Sequence, residues 1–354
     1  MDDITKRVEE IFVIHDSYIK KGKTVYIGYF ITPDVREGLF YLKERLKEIN
    51  YVPSIYKLKG IYYALEVHPE YKLKTKDFVV PLILFLLTVI TTMFAGSMHY
   101  LADFEKFLKE FPKSLLYGFP FSFALLSILL SHEMGHFLTS RKYGVEATLP
   151  YFIPVPHPLV GTFGAFIKMK STIPDKKTLL RIGAAGPLAG IIVSIPFTIW
   201  GILNSKVVTG RGEGGLFLGD PLLFKFLFSI IRKDIPPDAN VLLHPVAFAG
   251  WIGFFVTAMN LLPFSQLDGG HIIYALVGEK FQIIQFFLFP FLILMGFFWP
   301  GWFFWGFLLL LFGLRHPPPI DNITPLERKD KIIGIICIAV FILTFHPVPF
   351  SLRI

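Results

Sequence analysis

Phe119-Pro120-Phe121-Ser122-Phe123-Ala124-Leu125-Leu126-Ser127-Ile128-Leu129-Leu130-Ser131-His132-Glu133-Met134-Gly135-His136 decides the reading of this chain. An apolar run ends in two histidines four positions apart, with a glutamate directly after the first. On a helix, residues four apart stack on one face, so His132 and His136 can grip one Zn²⁺ while Glu133 stands near enough to activate a water. Ionisable groups inside a membrane helix are expensive and mark a functional site by default. The stretch therefore reads as a metalloprotease helix set in a bilayer.

The rest of the composition agrees with that setting. Of 354 residues, 53% are hydrophobic and only 18% charged, and the mean hydropathy is +0.56. Several apolar stretches approach the roughly 20 residues needed to cross a bilayer. The expected fold is a polytopic α-helical membrane protein with about seven transmembrane segments, near residues 79–98, 117–139, 181–203, 243–263, 281–298, 301–315 and 331–347. Pro300-Gly301 separates the fifth from the sixth, and a single kinked or re-entrant unit is the alternative there. The net charge of +8 is what Lys- and Arg-rich cytoplasmic loops produce, so nucleic acid need not be invoked. The single cysteine, Cys337, rules out an intramolecular disulfide and a cysteine cage for metal.

Residues 1–77 are polar and lack an early apolar h-region, so no cleavable signal peptide is expected and a later helix must start insertion. Residues 25–30 and 61–67, rich in β-branched and aromatic side chains, read as strands. Residues 34–46 carry apolar positions at helical spacing behind Asp34. They imply a small soluble α+β domain with a ferredoxin-like half, ending in the basic Lys72, Lys74 and Lys76, before a membrane domain over 78–354. Loop charges place the N-terminus in the cytoplasm. Arg141, Lys142, Lys168, Lys170, Lys176 and Lys177 in one loop, and Arg315, Arg328, Lys329 and Lys331 in another, then fall on the inner side of a multi-pass cell-membrane protein. The segment 206–233 is placed on the opposite side, with residues 216–228 forming an amphipathic interfacial helix. Between the second and third spans, residues 161–169 read as a strand or hairpin associated with the membrane. Extended backbone at that depth survives only where protein or a water-filled cavity covers it.

A catalytic zinc takes three protein ligands and leaves one position open. Asp268 is the best third candidate, because it follows the apolar run ending at Leu262 and the topology puts it on the same side as the His pair. Its rivals are Asp220, which the topology puts on the far side, and His157, His244 and His271, for each of which hydrogen-bonding a helix end is the favoured reading. Gly183, Gly186 and Gly190 are most simply small residues that let helices approach. A metal transporter, passing Zn²⁺ along intramembrane His and Asp, is the competing function; it leaves Glu133 and the strand without a role. Every candidate catalytic residue lies after position 130, so the N-terminal unit is expected to govern access or recruit partners and to add nothing to the chemistry.

Four ordered motifs also carry a family resemblance: His132-Glu133-Met134-Gly135-His136, Gly161-Thr162-Phe163-Gly164, Ala185-Gly186-Pro187-Leu188-Ala189-Gly190, and Asn260-Leu261-Leu262-Pro263-Phe264-Ser265-Gln266-Leu267-Asp268-Gly269-Gly270. Over residues 79–315 the chain resembles the site-2 protease family of intramembrane zinc metalloproteases, most closely its prokaryotic members similar to the plant chloroplast EGY-type proteins. The resemblance implies His132, His136 and Asp268 as ligands of one zinc ion per chain and Glu133 as catalytic base. It implies Asn260 as the residue that steadies the oxyanion and Gly161, Thr162, Phe163 and Gly164 as the strand that pairs with substrate. The partners it implies are transmembrane protein substrates and the lipid bilayer; homo-oligomerisation is left open.

Overall fold

Alternating apolar residues before Asp34 and helical spacing after it build the first unit. A computed structural model describes residues 3–20, 23–58, 61–69, 78–208, 215–235, 240–264, 266–313 and 316–353. Its first part holds α1 (Asp3–Glu9), β1 (Phe12–Lys20), β2 (Lys23–Phe30), α2 (Val35–Lys47), β3 (Tyr51–Lys57) and β4 (Tyr63–Pro69). The strands pair antiparallel in the order β1-β2-β4-β3. With β4 antiparallel to both β2 and β3, those two run the same way and α2 crosses between them, the split βαβ arrangement of ferredoxin-like folds. Phe12, Tyr26, Phe30, Leu42, Leu46, Ile55 and Leu65 form the core, and Ile320 joins them from far along the chain. The sequence reading found β2, α2 and β4 but passed over α1, β1 and β3. Pro53 hides β3, because proline is tolerated in a sheet chiefly at an edge, and β3 is an edge strand. Lys72, Lys74 and Lys76 lie outside the described residues.

The apolar remainder is helical. It runs α3 (Val79–Leu101), the short α4 (Phe104–Lys109) and α5 (Lys113–Leu116), α6 (Phe119–Lys142), a hairpin of β5 (Tyr151–Pro154) and β6 (Thr162–Phe166), then α7 (Lys176–Leu203). After β7 (Lys206–Val208), β8 (Gly215–Leu218), α8 (Leu222–Ile231) and β9 (Asn240–Leu242) come α9 (Pro245–Asn260), α10 (Asp268–Val277), α11 (Phe281–Met295), α12 (Gly301–Phe312), α13 (Arg328–Thr344) and β10 (Phe350–Arg353). Among the described residues, four helical stretches are long and apolar enough to cross a membrane: α3, α6, α7, and Asp268–Met295, in which a 3₁₀ turn starting at Gly278, whose φ is 66°, joins α10 to α11. The shorter α8, α9 and α12 are apolar as well. The helical stretch that holds the fifth expected span starts thirteen residues before position 281, at Asp268.

At Pro300-Gly301 the chain turns. Gly296 abuts Phe303 and Ile293 abuts Gly306, so α11 and α12 fold back on each other as a short antiparallel pair. The expected interfacial helix over 216–228 is only half right. Its first part is β8, paired antiparallel with β10, and Pro221 marks the start of α8. No local pattern reveals a strand partner at residues 350–353.

Helices α6, α7 and α9 make the centre of the membrane part, where Phe121, Leu125, Ile191, Trp251 and Phe254 are buried together. The β5–β6 hairpin leans on α3: Phe152 meets Phe85 edge-on at 5.1 Å, and Gly161 lies so close to the α3 backbone that a Cβ would stand 2.4 Å from the Thr91 carbonyl oxygen. The register slips between Phe152 and Pro154, and Gly164 supplies the positive φ of 97° that such a bulge needs.

Candidate metal centre

The chain brings His132, Glu133 and His136 to the buried interior of α6. His136 Nδ1 lies 2.7 Å from the Ile182 carbonyl oxygen on α7. A ring N–H donated there leaves the Nε2 lone pair free and fixes the ring's direction. Gly186, one helical turn beyond Ile182, is the space into which that ring fits: a Cβ at Gly186 would fall 2.0 Å from His136 Nε2, and one at Gly190 3.1 Å from His132 Nδ1. The glycines do allow close helix contact, as their spacing suggests, but Gly186 contacts the donor atom itself.

Asp268 arrives from the other side as the first residue of α10. Its placement depends on Gly269, whose missing Cβ would meet the Leu261 carbonyl oxygen at 2.0 Å, so the start of α10 lies directly over the end of α9. Asn260, the last residue of α9, is brought in by the same turn, with Nδ2 3.2 Å from His132 Nε2.

Three donor atoms then form a nearly equilateral triangle. His132 Nε2 to His136 Nε2 is 3.2 Å, and Asp268 Oδ2 is 3.2 Å from each. Ligands held about 2.0–2.1 Å from a tetrahedral ion are separated by about 3.3–3.4 Å. The triangle therefore fits one face of a zinc tetrahedron, and a set of three protein ligands leaves the fourth position of such an ion to a reactant. Carboxylate plus two imidazoles is also the donor chemistry of a catalytic rather than a structural zinc site. Among the described residues this is the group of three metal-donor side chains within ligand distance of one another. The adjacent Glu133 is not in the triangle. Its carboxyl group faces the backbone N–H of Ile167, just past β6.

The rival residues do other work. Asp220 is exposed in the turn before α8, His244 accepts from the Val246 N–H at the start of α9, and His157 accepts from the Leu159 N–H. His271 contacts His316, Nδ1 to Nε2, at 2.6 Å. Burial, with His271 beside it, pushes the His316 imidazole down to about 3, so the ring is neutral there. In the Gly161–Gly164 stretch, Thr162 braces the hairpin by donating to the Ile153 carbonyl and accepting from the Gly164 N–H. Phe163 projects outward, 77% exposed. Ile182, Gly186 and His316 were missed as site residues by sequence reasoning. Only Gly186 carried any signal, as a small residue inside an apolar helix.

The comparisons with known proteins accord with this geometry. The sequence profile of peptidase family M50 matches residues 120–296, half of the chain. A probable chloroplastic zinc metalloprotease of rice, EGY1, is 33% identical over 227 residues, covering 57% of this chain and 38% of that protein. Its Arabidopsis thaliana namesake is 30% identical over 299 residues, 77% of this chain and 53% of the relative. Arabidopsis EGY2, likewise a probable chloroplastic zinc metalloprotease, is 28% identical over 278 residues, 73% and 49%. The chain thus spans about half or less of the length of these relatives. No solved structure matches it. With the profile match running from the start of α6 through α11, and so across every residue of the donor triangle, the chain belongs to peptidase family M50, the site-2 protease family.

Proposed function

We propose that the protein is an intramembrane zinc endopeptidase that hydrolyses peptide bonds within or next to transmembrane segments of other membrane proteins. The observation that carries the reading is the 3.2 Å triangle of His132, His136 and Asp268 donor atoms, buried among apolar helices with a carboxylic acid beside it. On this reading His132, His136 and Asp268 hold one zinc ion. Bound there, zinc would polarise the scissile carbonyl and acidify a water.

The chain's own groups supply the remaining steps. Glu133 takes the proton of the attacking water and passes it to the leaving amine. The Asn260 amide, at the edge of the triangle, donates to the developing oxyanion. A helical substrate hides its carbonyls in i to i−4 hydrogen bonds and must unwind before it is cut. The β6 strand, with one partner among the described strands, offers it replacement backbone bonds by strand addition. Phe163 and Gly164 are the positions that face substrate, while Gly161 and Thr162 hold the strand in place. The architecture we propose crosses the cell membrane about seven times, with α9, α12 and α13 added to the four longer stretches, and with the N-terminal unit and the metal centre towards the cytoplasm. A transport path needs successive ligand sets, whereas one such set is grouped among the described residues.

The test is Glu133→Gln in protein reconstituted with a reporter transmembrane substrate. Zinc content should equal wild type while cleavage falls by about 10²–10⁴-fold, because the amide keeps the shape but cannot accept the proton. Full cleavage by this variant would remove Glu133 from the mechanism.

A further inference from the structure

Residues 316–320, His316-Pro317-Pro318-Pro319-Ile320, join two parts of the molecule that are otherwise distant in sequence. At one end, Ile320 is 3% exposed and packs within the core of the N-terminal sheet. Its carbonyl accepts from the Ile55 N–H of edge strand β3 at 3.0 Å, and its own N–H donates to the Ile173 carbonyl at 2.9 Å. The Asp321 N–H donates to the Pro174 carbonyl at 2.7 Å, two residues before α7 begins. Ile320 and Asp321 thus bridge the N-terminal sheet and the root of the helix that receives the His136 ring, Asp321 standing in isolated parallel bridges to Ile55 and to Asp175.

At the other end, His316 is buried, 3% exposed. Its ring stacks on Tyr274 of α10, centroids 4.4 Å apart, and its Nε2 is 2.6 Å from His271 Nδ1. His271 stands one helical turn after Asp268 on the same helix. A second contact reinforces the first: Asn322 Nδ2 donates to the Tyr274 hydroxyl at 3.1 Å. Between the ends lie three prolines. Each has φ locked near −65° and no N–H to donate, and a polyproline run extends about 3.1 Å per residue. Over four steps that is a rod of about 12 Å that resists crumpling.

We propose that residues 316–320 are a strut through which the N-terminal sheet positions α10, with His316 as the positioning residue that holds the Asp268 end of that helix at the metal centre. The proposal rests on the assignment of His132, His136 and Asp268 as ligands. It revises the expectation that the N-terminal unit adds nothing to the chemistry: no atom of it enters the reaction, yet it anchors the far end of the strut.

The experiment uses the full chain, stripped of metal and titrated with Co²⁺, whose visible d–d absorption reports ligand geometry; folding is followed by circular dichroism and size exclusion in detergent. His316→Ala is expected to weaken Co²⁺ binding by up to about 10-fold, the lower end of what losing a direct partner of a ligand costs, because His316 acts on Asp268 through His271 and Tyr274, and to shift the absorption band. His316→Gln, whose amide reaches to where Nε2 lay, should restore most of the affinity and the band. The triple replacement P317G/P318G/P319G leaves both ends chemically intact and should weaken binding severalfold. His244→Ala, at the start of α9, should leave affinity and band as in wild type. Wild-type affinity and band in His316→Ala or, should that variant not fold, in the triple glycine variant would overturn the proposal. So would equal loss in His316→Ala and His316→Gln, or an equal loss in His244→Ala. Glu133→Gln separates the two readings, because it tests hydrolysis while leaving the cobalt site whole.

Discussion

A Cβ at Gly186 would lie 2.0 Å from the Nε2 atom of His136, closer than any non-bonded pair of atoms can stand, whereas one at Gly190 would lie 3.1 Å from His132 Nδ1. The first position is therefore intolerant and the second merely tight. Gly186→Ala should push the imidazole off its line and lower zinc affinity by at least about 10-fold, as other disturbances next to a ligand do; Gly190→Ala should stay within a few-fold of wild type. Zinc stoichiometry after dialysis against a graded chelator series distinguishes them, and equal retention would show that α7 can retreat from α6. The same assay bears on the third ligand. Asp268→Ala should lose zinc and Asp220→Ala should not, since Asp220 lies exposed before α8 and only Asp268 approaches both histidines. Zinc occupancy unchanged in Asp268→Ala would defeat the ligand assignment.

Among the secondary elements, the β5–β6 hairpin carries two glycines with different reasons to exist. Gly161 has φ of 81° and a Cβ there would collide with the Thr91 carbonyl; Gly164 has φ of 97° and nothing within 4 Å. Alanine at Gly164 therefore meets backbone strain alone, about 1–3 kcal/mol, while alanine at Gly161 meets the same strain and must also lift the hairpin from α3. Hydrogen exchange of amides in residues 151–166 should accelerate more in Gly161→Ala than in Gly164→Ala. If β6 pairs with substrate, cleavage should fall in the same order. The reverse order in exchange would mean that the hairpin is not held by α3.

Across the whole molecule, a buried ion pair ties the helices together at the end nearest the N-terminal unit. Arg181 Nε donates to Asp330 Oδ1 at 2.7 Å, and the carboxylate side chain is fully buried; the same guanidinium donates to the Tyr143 hydroxyl. One side chain thereby links α7, α13 and the end of α6. Removing one member of a buried pair strands the other charge, which costs about 3–5 kcal/mol, whereas replacing both with apolar groups is often neutral. Because Arg181 remains a quarter exposed on its side chain, Arg181→Ala is expected near the lower end of that range. Thermal unfolding in detergent should show the loss, and R181M/D330L should recover most of it. A double variant no better than the single would show that the pair also supplies specificity of packing.

How much of this was legible beforehand follows from how far apart in the chain the cooperating residues stand. His132, Glu133 and His136 were readable because their relation is local: a four-residue spacing on a helix is set by backbone geometry alone. The apolar spans were readable because lipid imposes a length and a composition on any helix that crosses it. Asp268 could be nominated from topology, but its meeting with the two Nε2 atoms depends on Gly269 clearing the Leu261 carbonyl, which no spacing encodes. Strand β8 looked helical because its partner, β10, lies at the far end of the chain. The insertion of Ile320 into the N-terminal core, and of His316 against His271, is likewise invisible in one dimension, since each contact joins segments tens to hundreds of residues apart. The sequence by itself determined the membrane setting, the His-Glu-His helix and the donor chemistry, all consequences of local backbone geometry and solvent. Only the tertiary structure decided which carboxylate closes the triangle, which glycine makes room for the ring, and what the N-terminal sheet holds, because these are fixed by close packing between surfaces that the chain brings together only on folding.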